Sequence, residues 1–138
     1  MHIDSIHNGI VIDHITAGRG MEIYKLLHLD RLDSSVAIIK NAPSRKMGKK
    51  DIIKVDADID IDTNVLGYVD PNVTVDIIRN GHLAEKRRVG LPTRLTNVLF
   101  CKNPRCITTT EQELPHVFLL TDPEHRIYRC LYCETKAK

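Results

Sequence analysis

From Ile53 to Asp62 the chain alternates without a break. Ile53, Val55, Ala57, Ile59 and Ile61 share one parity; Lys54, Asp56, Asp58, Asp60 and Asp62 share the other. A period of two marks a strand with one buried face, so Lys50 to about Ile61 is predicted as a half-buried strand. Its aspartates read as a solvated face rather than a calcium loop, because alternation lines them along one edge and the glycine of an EF-hand loop is missing. Gly9 to Ile15 is β-branched and opens on Asn8-Gly9, which predicts a first strand. Thr16 to Gly20 turns the chain. Ile23, Leu26 and Leu27 then recur at helical spacing, predicting a helix from Met21 to about Leu29. Ser35 to Lys40 reads as a second strand, and Asn41 to Gly48 as a loop.

Asp62 or Thr63 is placed to cap a short helix ending near Tyr68, and Asp70, Pro71 and Asn72 form a turn. Val73 to Ile78 and His82 to Arg88 read as strands of a hairpin around Asn80-Gly81. The order β-α-β-β-α-β with one added strand is the split βαβ plan of an α+β, ferredoxin-like domain with an antiparallel sheet. Gly90, Pro92 and their neighbours break regular structure, giving predicted domains at residues 1–92 and 93–138. In the second, Val98 to Phe100 lead into a cysteine pair. Val117 to Leu120 and Ile127 to Arg129 read as strands of a small antiparallel β domain.

Composition adds limits. An apolar fraction of 42% and a charged fraction of 28% suit a soluble globular protein. The N-terminus lacks the basic and apolar regions of a signal peptide, and no apolar run nears the roughly 20 residues of a membrane span. A reducing cytoplasm is expected, with no membrane partner. The net charge of +2 is small, but Arg45, Lys46, Lys49, Lys50 and Lys54 cluster, as do Lys86, Arg87 and Arg88. Two such clusters in one domain can meet on a polyanion such as a triphosphate.

All four cysteines lie in the second domain, as Cys101-x4-Cys106 and Cys130-x2-Cys133. Paired knuckles in a reducing compartment indicate a tetrahedral metal site, with Zn2+ the expected ion and a structural role. A segment this short needs such a staple. Lys102, Arg105 and Arg129 adjoin ligands and are placed to offset the charge of four thiolates. His116 and His125 read as ordinary surface histidines.

The ordered words Gly9 to Ile15, Met47 to Lys54, Thr74 to Ile78, Leu91-Pro92 and Asn97 to Cys101, followed by the knuckles, resemble the regulatory chain of aspartate carbamoyltransferase over nearly the whole length. The resemblance implies a non-catalytic subunit. Its first domain would bind CTP and UTP as inhibitors and ATP as activator, and would pair with a second copy as a regulatory dimer. Its zinc domain would grip catalytic trimers, coupling nucleotide binding to their quaternary state in pyrimidine synthesis.

The resemblance carries nucleotide contacts onto Ile3, Asp4, Ser5 and Ile6 near the base, Asp13 and His14 on the first strand, and the basic Lys50, Lys54 and Lys86. Ile78 and Leu83 become apolar walls. Asp76 stands where the family has an asparagine, Gly81 replaces a tyrosine and Thr16 a proline. A carboxylate at position 76 should repel a triphosphate unless magnesium or a lysine intervenes.

Other classes fit less well. Asp13 and His14 are neighbours on a strand, expected to face opposite ways, and no nucleophile accompanies them. A zinc-ribbon nucleic-acid-binding protein is the alternative, but aromatics are only 4% and the basic residues mostly lie outside the metal segment. No nucleic-acid partner is expected.

Overall fold

The computed structural model describes residues 6–137, and the chain divides into two compact units, Met1–Gly90 and Leu91–Lys138. The first contains β1 (Gly9–Thr16), α1 (Gly20–Leu26), a 3-10 turn (Leu29–Arg31), β2 (Val36–Ser44), β3 (Gly48–Val55), α2 (Thr63–Val69), β4 (Thr74–Arg79) and β5 (His82–Arg88). Its sheet runs β2-β3-β1-β4-β5, and every pairing is antiparallel. This is the ferredoxin-like order with β5 added at one edge.

One face of the sheet makes the core. Ile10, Ile12 and Ile15 of β1, Ile53 and Val55 of β3 and Val75 of β4 pack with Ile23 of α1 and Leu66 of α2. Burial of each such side chain contributes about 1.5–3 kcal/mol. Asp62 caps α2 by accepting from Asn64 N–H at 3.0 Å. The hairpin turn has Asn80 at φ 53° and Gly81 at φ 77°, the paired positive angles of a type I′ turn.

The strand predicted to reach Ile61 stops at Val55. Both neighbours run out there: Ile10 and Val36 each pair with Val55. The alternation persists without a ladder, with Ala57, Ile59 and Ile61 half-buried against the core and the aspartates exposed. Conversely, β2 extends into the predicted loop, since Ala42, Pro43 and Ser44 pair with Lys50, Lys49 and Gly48. Pro43 is tolerated because β2 is an edge strand, where a missing N–H costs no ladder bond. The predicted first helix ends three residues early, and His28 at φ 57° separates it from the 3-10 turn.

Asp51 is fully buried at 0% exposure on the core side of β3. Its carboxylate accepts from Gly18 N–H (3.1 Å), Gly20 N–H (2.9 Å) and Asn41 N–H (3.0 Å). The strands on both sides of β3 are irregular here: β1 between Ile12 and Ile15, β2 between Ile39 and Ala42. Gly20 is required for contact, since a Cβ there would lie 2.9 Å from Asp51 Oδ2.

The second unit holds β6 (Arg94–Thr96), α3 (Ile107–Thr110), β7 (Val117–Asp122) and β8 (Ile127–Cys130), with a sheet ordered β6-β7-β8. β6 and α3 are additions to the predicted elements. Leu95, Val117, Phe118 and Tyr128 are buried with three of the cysteines. Tyr128 O–H donates to Pro92 C=O at 2.6 Å, closing the start of the unit onto β8.

Candidate metal centre and anion-binding face

The cysteines converge from two turns. In the first knuckle Arg105 N–H donates to Asn103 Oδ1 and Cys106 N–H to Asn103 C=O, each at 3.0 Å. In the second, Glu134 at φ 62° lets its N–H return to Cys130 C=O at 2.9 Å. Cys101 and Cys133 sulfurs lie 3.5 Å apart and Cys106 and Cys130 sulfurs 3.7 Å apart. All four sulfurs fall within 4.8 Å of one another.

A disulfide would bring sulfurs to about 2.05 Å. A tetrahedron with metal–sulfur bonds of about 2.3 Å has an edge of about 3.8 Å. The quartet therefore fits a tetrahedral ion, and Cys101, Cys106, Cys130 and Cys133 would hold it. Burial pushes the Cys101 thiol up to about 12 and also raises Cys130. Burial would raise Cys133 too, but hydrogen bonds with Thr135, Asn103 and Cys101 together outweigh it and bring that thiol down to about 6. An ion holding all of them as thiolates must displace their protons, so its affinity falls as pH drops.

Support around the sulfurs differs from the expected arrangement. Lys102, Arg105 and Arg129 are exposed, and Arg129 donates to Glu134 C=O. The sulfurs instead meet hydroxyls: Thr108 Oγ1 lies 3.0 Å from Cys106 Sγ, and Thr135 Oγ1 3.2 Å from Cys133 Sγ. The sequence signal for both is a repeated Cys-x-Thr, in Cys106 to Thr108 and Cys133 to Thr135. His116 is also more than a surface histidine. It is half-buried, its Nδ1 accepts from Cys101 N–H at 3.1 Å, and its ring meets Phe100 edge-on at 5.1 Å. His125 is exposed and pairs with Asp122 at 2.8 Å.

In the first unit, the face of the sheet opposite the core gathers the remaining polar candidates. Lys54, Val11, Asp76 and Lys86 stand in register across β3, β1, β4 and β5. Ile78 is half-buried and pairs with Leu83, which is 58% exposed. Asp13 forms an ion pair with Lys50 at 3.0 Å, and His14 Nδ1 lies 2.9 Å from Thr74 Oγ1.

Asp13 and His14 do not face opposite ways, contrary to the rule for strand neighbours. Ile12 and Ile15 are both fully buried, and the extra residue between them forms a bulge with His14 at φ 58°. The bulge turns both polar side chains off the core. Burial alone would raise the Asp13 carboxyl, but Lys50 and the His14 N–H hold it below its ordinary value. Ile3, Asp4 and Ser5 lie outside the described residues. Ile6 is half-buried, and the neighbouring His7 C=O accepts from Gly81 N–H at 2.8 Å, tying this segment to the hairpin tip.

A groove of about 340 Å³ opens beside this face, lined by His14, Lys46, Thr74, Lys86 and Arg88 with the Pro71–Val73 turn. The two basic clusters thus meet, through Lys46 from one and Lys86 and Arg88 from the other. Among the described residues none of these three cations has an ion-pair partner. The arrangement suits an anion.

Residues 1–90 match the family model for the allosteric domain of aspartate carbamoyltransferase regulatory chains, and residues 93–138 that for their metal-binding domain. This chain belongs to that family. It is 52% identical over 132 residues to the aspartate carbamoyltransferase regulatory chain of Clostridium botulinum (strain Hall), covering 96% of this chain and 90% of that one. It is 50% identical over 133 residues to the regulatory chain of Clostridium tetani, with coverages of 96% and 92%. To that of Bifidobacterium longum it is 44% identical over 138 residues, with coverages of 100% and 99%. As a regulatory chain it is a non-catalytic subunit. Among the described residues no helix is long and apolar enough to cross a membrane.

Proposed function

We propose that this regulatory chain senses nucleoside triphosphates on the open face of its first domain, residues 1–92. CTP and UTP act as inhibitors and ATP as activator. The observation that carries this reading is the convergence of Lys46, Lys86 and Arg88 on one groove, beside the row of Lys54, Asp76 and Lys86 and the Asp13–Lys50 pair. Three cations, none ion-paired among the described residues, meet the charge of a polyphosphate. Asp13 and His14 are held nearby by Lys50 and Thr74, and Ile6, Ile78 and Leu83 offer apolar contact toward the hairpin tip. Ile3, Asp4 and Ser5 complete the base-reading segment by family resemblance.

The second domain, residues 93–138, carries one structural Zn2+ and docks on trimers of the catalytic chain in the cytoplasm. Two copies pair as a regulatory dimer. Effector binding biases the quaternary state of the assembly, and this coupling is a free energy shared between sites on different chains.

Titration calorimetry of the full chain with CTP and ATP tests the nucleotide reading. Lys86→Ala should weaken binding by about tenfold, the scale of one charge-assisted phosphate contact, while metal content and assembly stay unchanged. Unaltered affinity in that variant would remove Lys86 from the site. Aspartate saturation curves of the reconstituted assembly, with each nucleotide in turn, decide which effector inhibits.

A further inference from the structure

Asp76 does not belong in a polyanion site as an ordinary carboxylate. Its Oδ1 is sealed from solvent and has no hydrogen-bond partner among the described residues. In register it stands opposite Val11 on one side and Lys86 on the other. The charged and titratable groups that act on it are Lys86 of β5, Asp13 and His14 of β1 and Lys50 of β3; Lys54 pairs with Val11 on the far side of β1, and Arg88 with Thr74 two residues along β4. Lys50 is committed to Asp13 at 3.0 Å and His14 to Thr74 at 2.9 Å. A second carboxylate is therefore close, and one of the nearby cations is already engaged.

Burial raises the Asp76 carboxyl above its ordinary value, although Lys86 pulls the other way. The fold thus shifts this group toward the protonated acid relative to an exposed aspartate, and stability associated with that proton is lost as pH rises through the raised value. A triphosphate brought to Lys86 places further negative charge on the same side and disfavours the carboxylate again.

We propose that Asp76 makes effector binding proton-linked: the nucleotide enters with uptake of one proton from solvent by the Asp76 carboxyl. This rests on the nucleotide reading above. The protonated group then donates from its O–H, and the sealed oxygen bears no full charge. Regulation through this chain would consequently weaken as pH rises, even with nucleotide concentration constant.

The test is titration calorimetry of the full chain with CTP and with ATP, with and without added Mg2+, across buffers of different ionisation heat and over a range of pH. Asp76→Asn is isosteric and serves as reference, cancelling protons exchanged by the phosphates and by the rest of the protein. Wild type should take up protons in excess of the variant. The variant should bind about tenfold tighter near pH 8, one unit charge removed at close range, and the gap should narrow as pH falls. Equal proton exchange and parallel pH curves, with binding intact, would overturn the proposal and leave the nucleotide reading standing. Wild-type binding that needs Mg2+ and takes up no proton, in contrast to a metal-independent variant, would also overturn it, with a cation replacing the proton. Binding of neither nucleotide by either protein at any pH would overturn the nucleotide reading and this inference together.

Discussion

Cys130→Ser should strip the metal from the chain, unfold the second unit and abolish capture by catalytic trimers, while the first unit keeps its structure. Cys130 is 2% exposed, and its sulfur lies 3.7 Å from that of Cys106. A serine there removes a soft thiolate and leaves a hard hydroxyl that does not complete the shell. The unit depends on that shell. Its buried apolar side chains besides cysteines are Leu95, Val117, Phe118 and Tyr128, each contributing about 1.5–3 kcal/mol. A structural zinc site supplies about 10–16 kcal/mol, at least as much as those four side chains together. Metal analysis, near-ultraviolet circular dichroism from Tyr128 and its neighbours, and native mass spectrometry with catalytic trimers read the three effects. A metal-free variant that still assembles would sink the docking role of this unit.

Asp51→Ala should destabilise the first unit by about 3 kcal/mol, a large loss for one side chain. The carboxylate serves three backbone donors at once, and Gly20 N–H is buried with it. Each buried donor left without a partner costs about 1–3 kcal/mol; Gly18 is exposed and regains water, which limits the total. Asp51→Asn, whose amide oxygen still accepts, should lose roughly half as much. Urea unfolding of the full chain separates the units, because only the transition insensitive to chelators should shift. The bulge that turns Asp13 and His14 off the core sits beside Asp51, so nucleotide affinity should fall in the alanine variant as well. A chelator-insensitive transition unchanged by Asp51→Ala would show that the strands hold their irregular register without it.

The parts of this molecule legible in the sequence were those set by local rules. Asp62 caps its helix, Asn80-Gly81 makes its turn, and the cysteine spacing announces a metal shell. Alternation from Ile53 to Ile61 correctly separated buried from exposed positions. It overran the strand because a strand ends where its neighbours end, and that is a property of β1 and β2. Asp51 was invisible for a related reason. It falls on the core parity of β3, and its donors come from residues 31 to 33 positions earlier and 10 positions earlier in the chain. The bulges it adjoins reversed the expected facing of Asp13 and His14, since one extra residue changes parity. In the metal unit, the threonine hydroxyls were readable from a repeated Cys-x-Thr, whereas the bond from Cys101 N–H to His116 depends on β7 returning beside the first knuckle.

The pairing of sulfurs across the knuckles also sets a schedule. Cys101 approaches Cys133 and Cys106 approaches Cys130, so each close contact joins an early ligand to a late one. During synthesis the whole first unit is available to fold before any ligand has emerged. The first two thiols must then wait, reduced and unpaired, for the last two. The ion is consequently the final part fitted, and the supply of metal at that moment decides whether a folded first unit is ever joined by a folded second one.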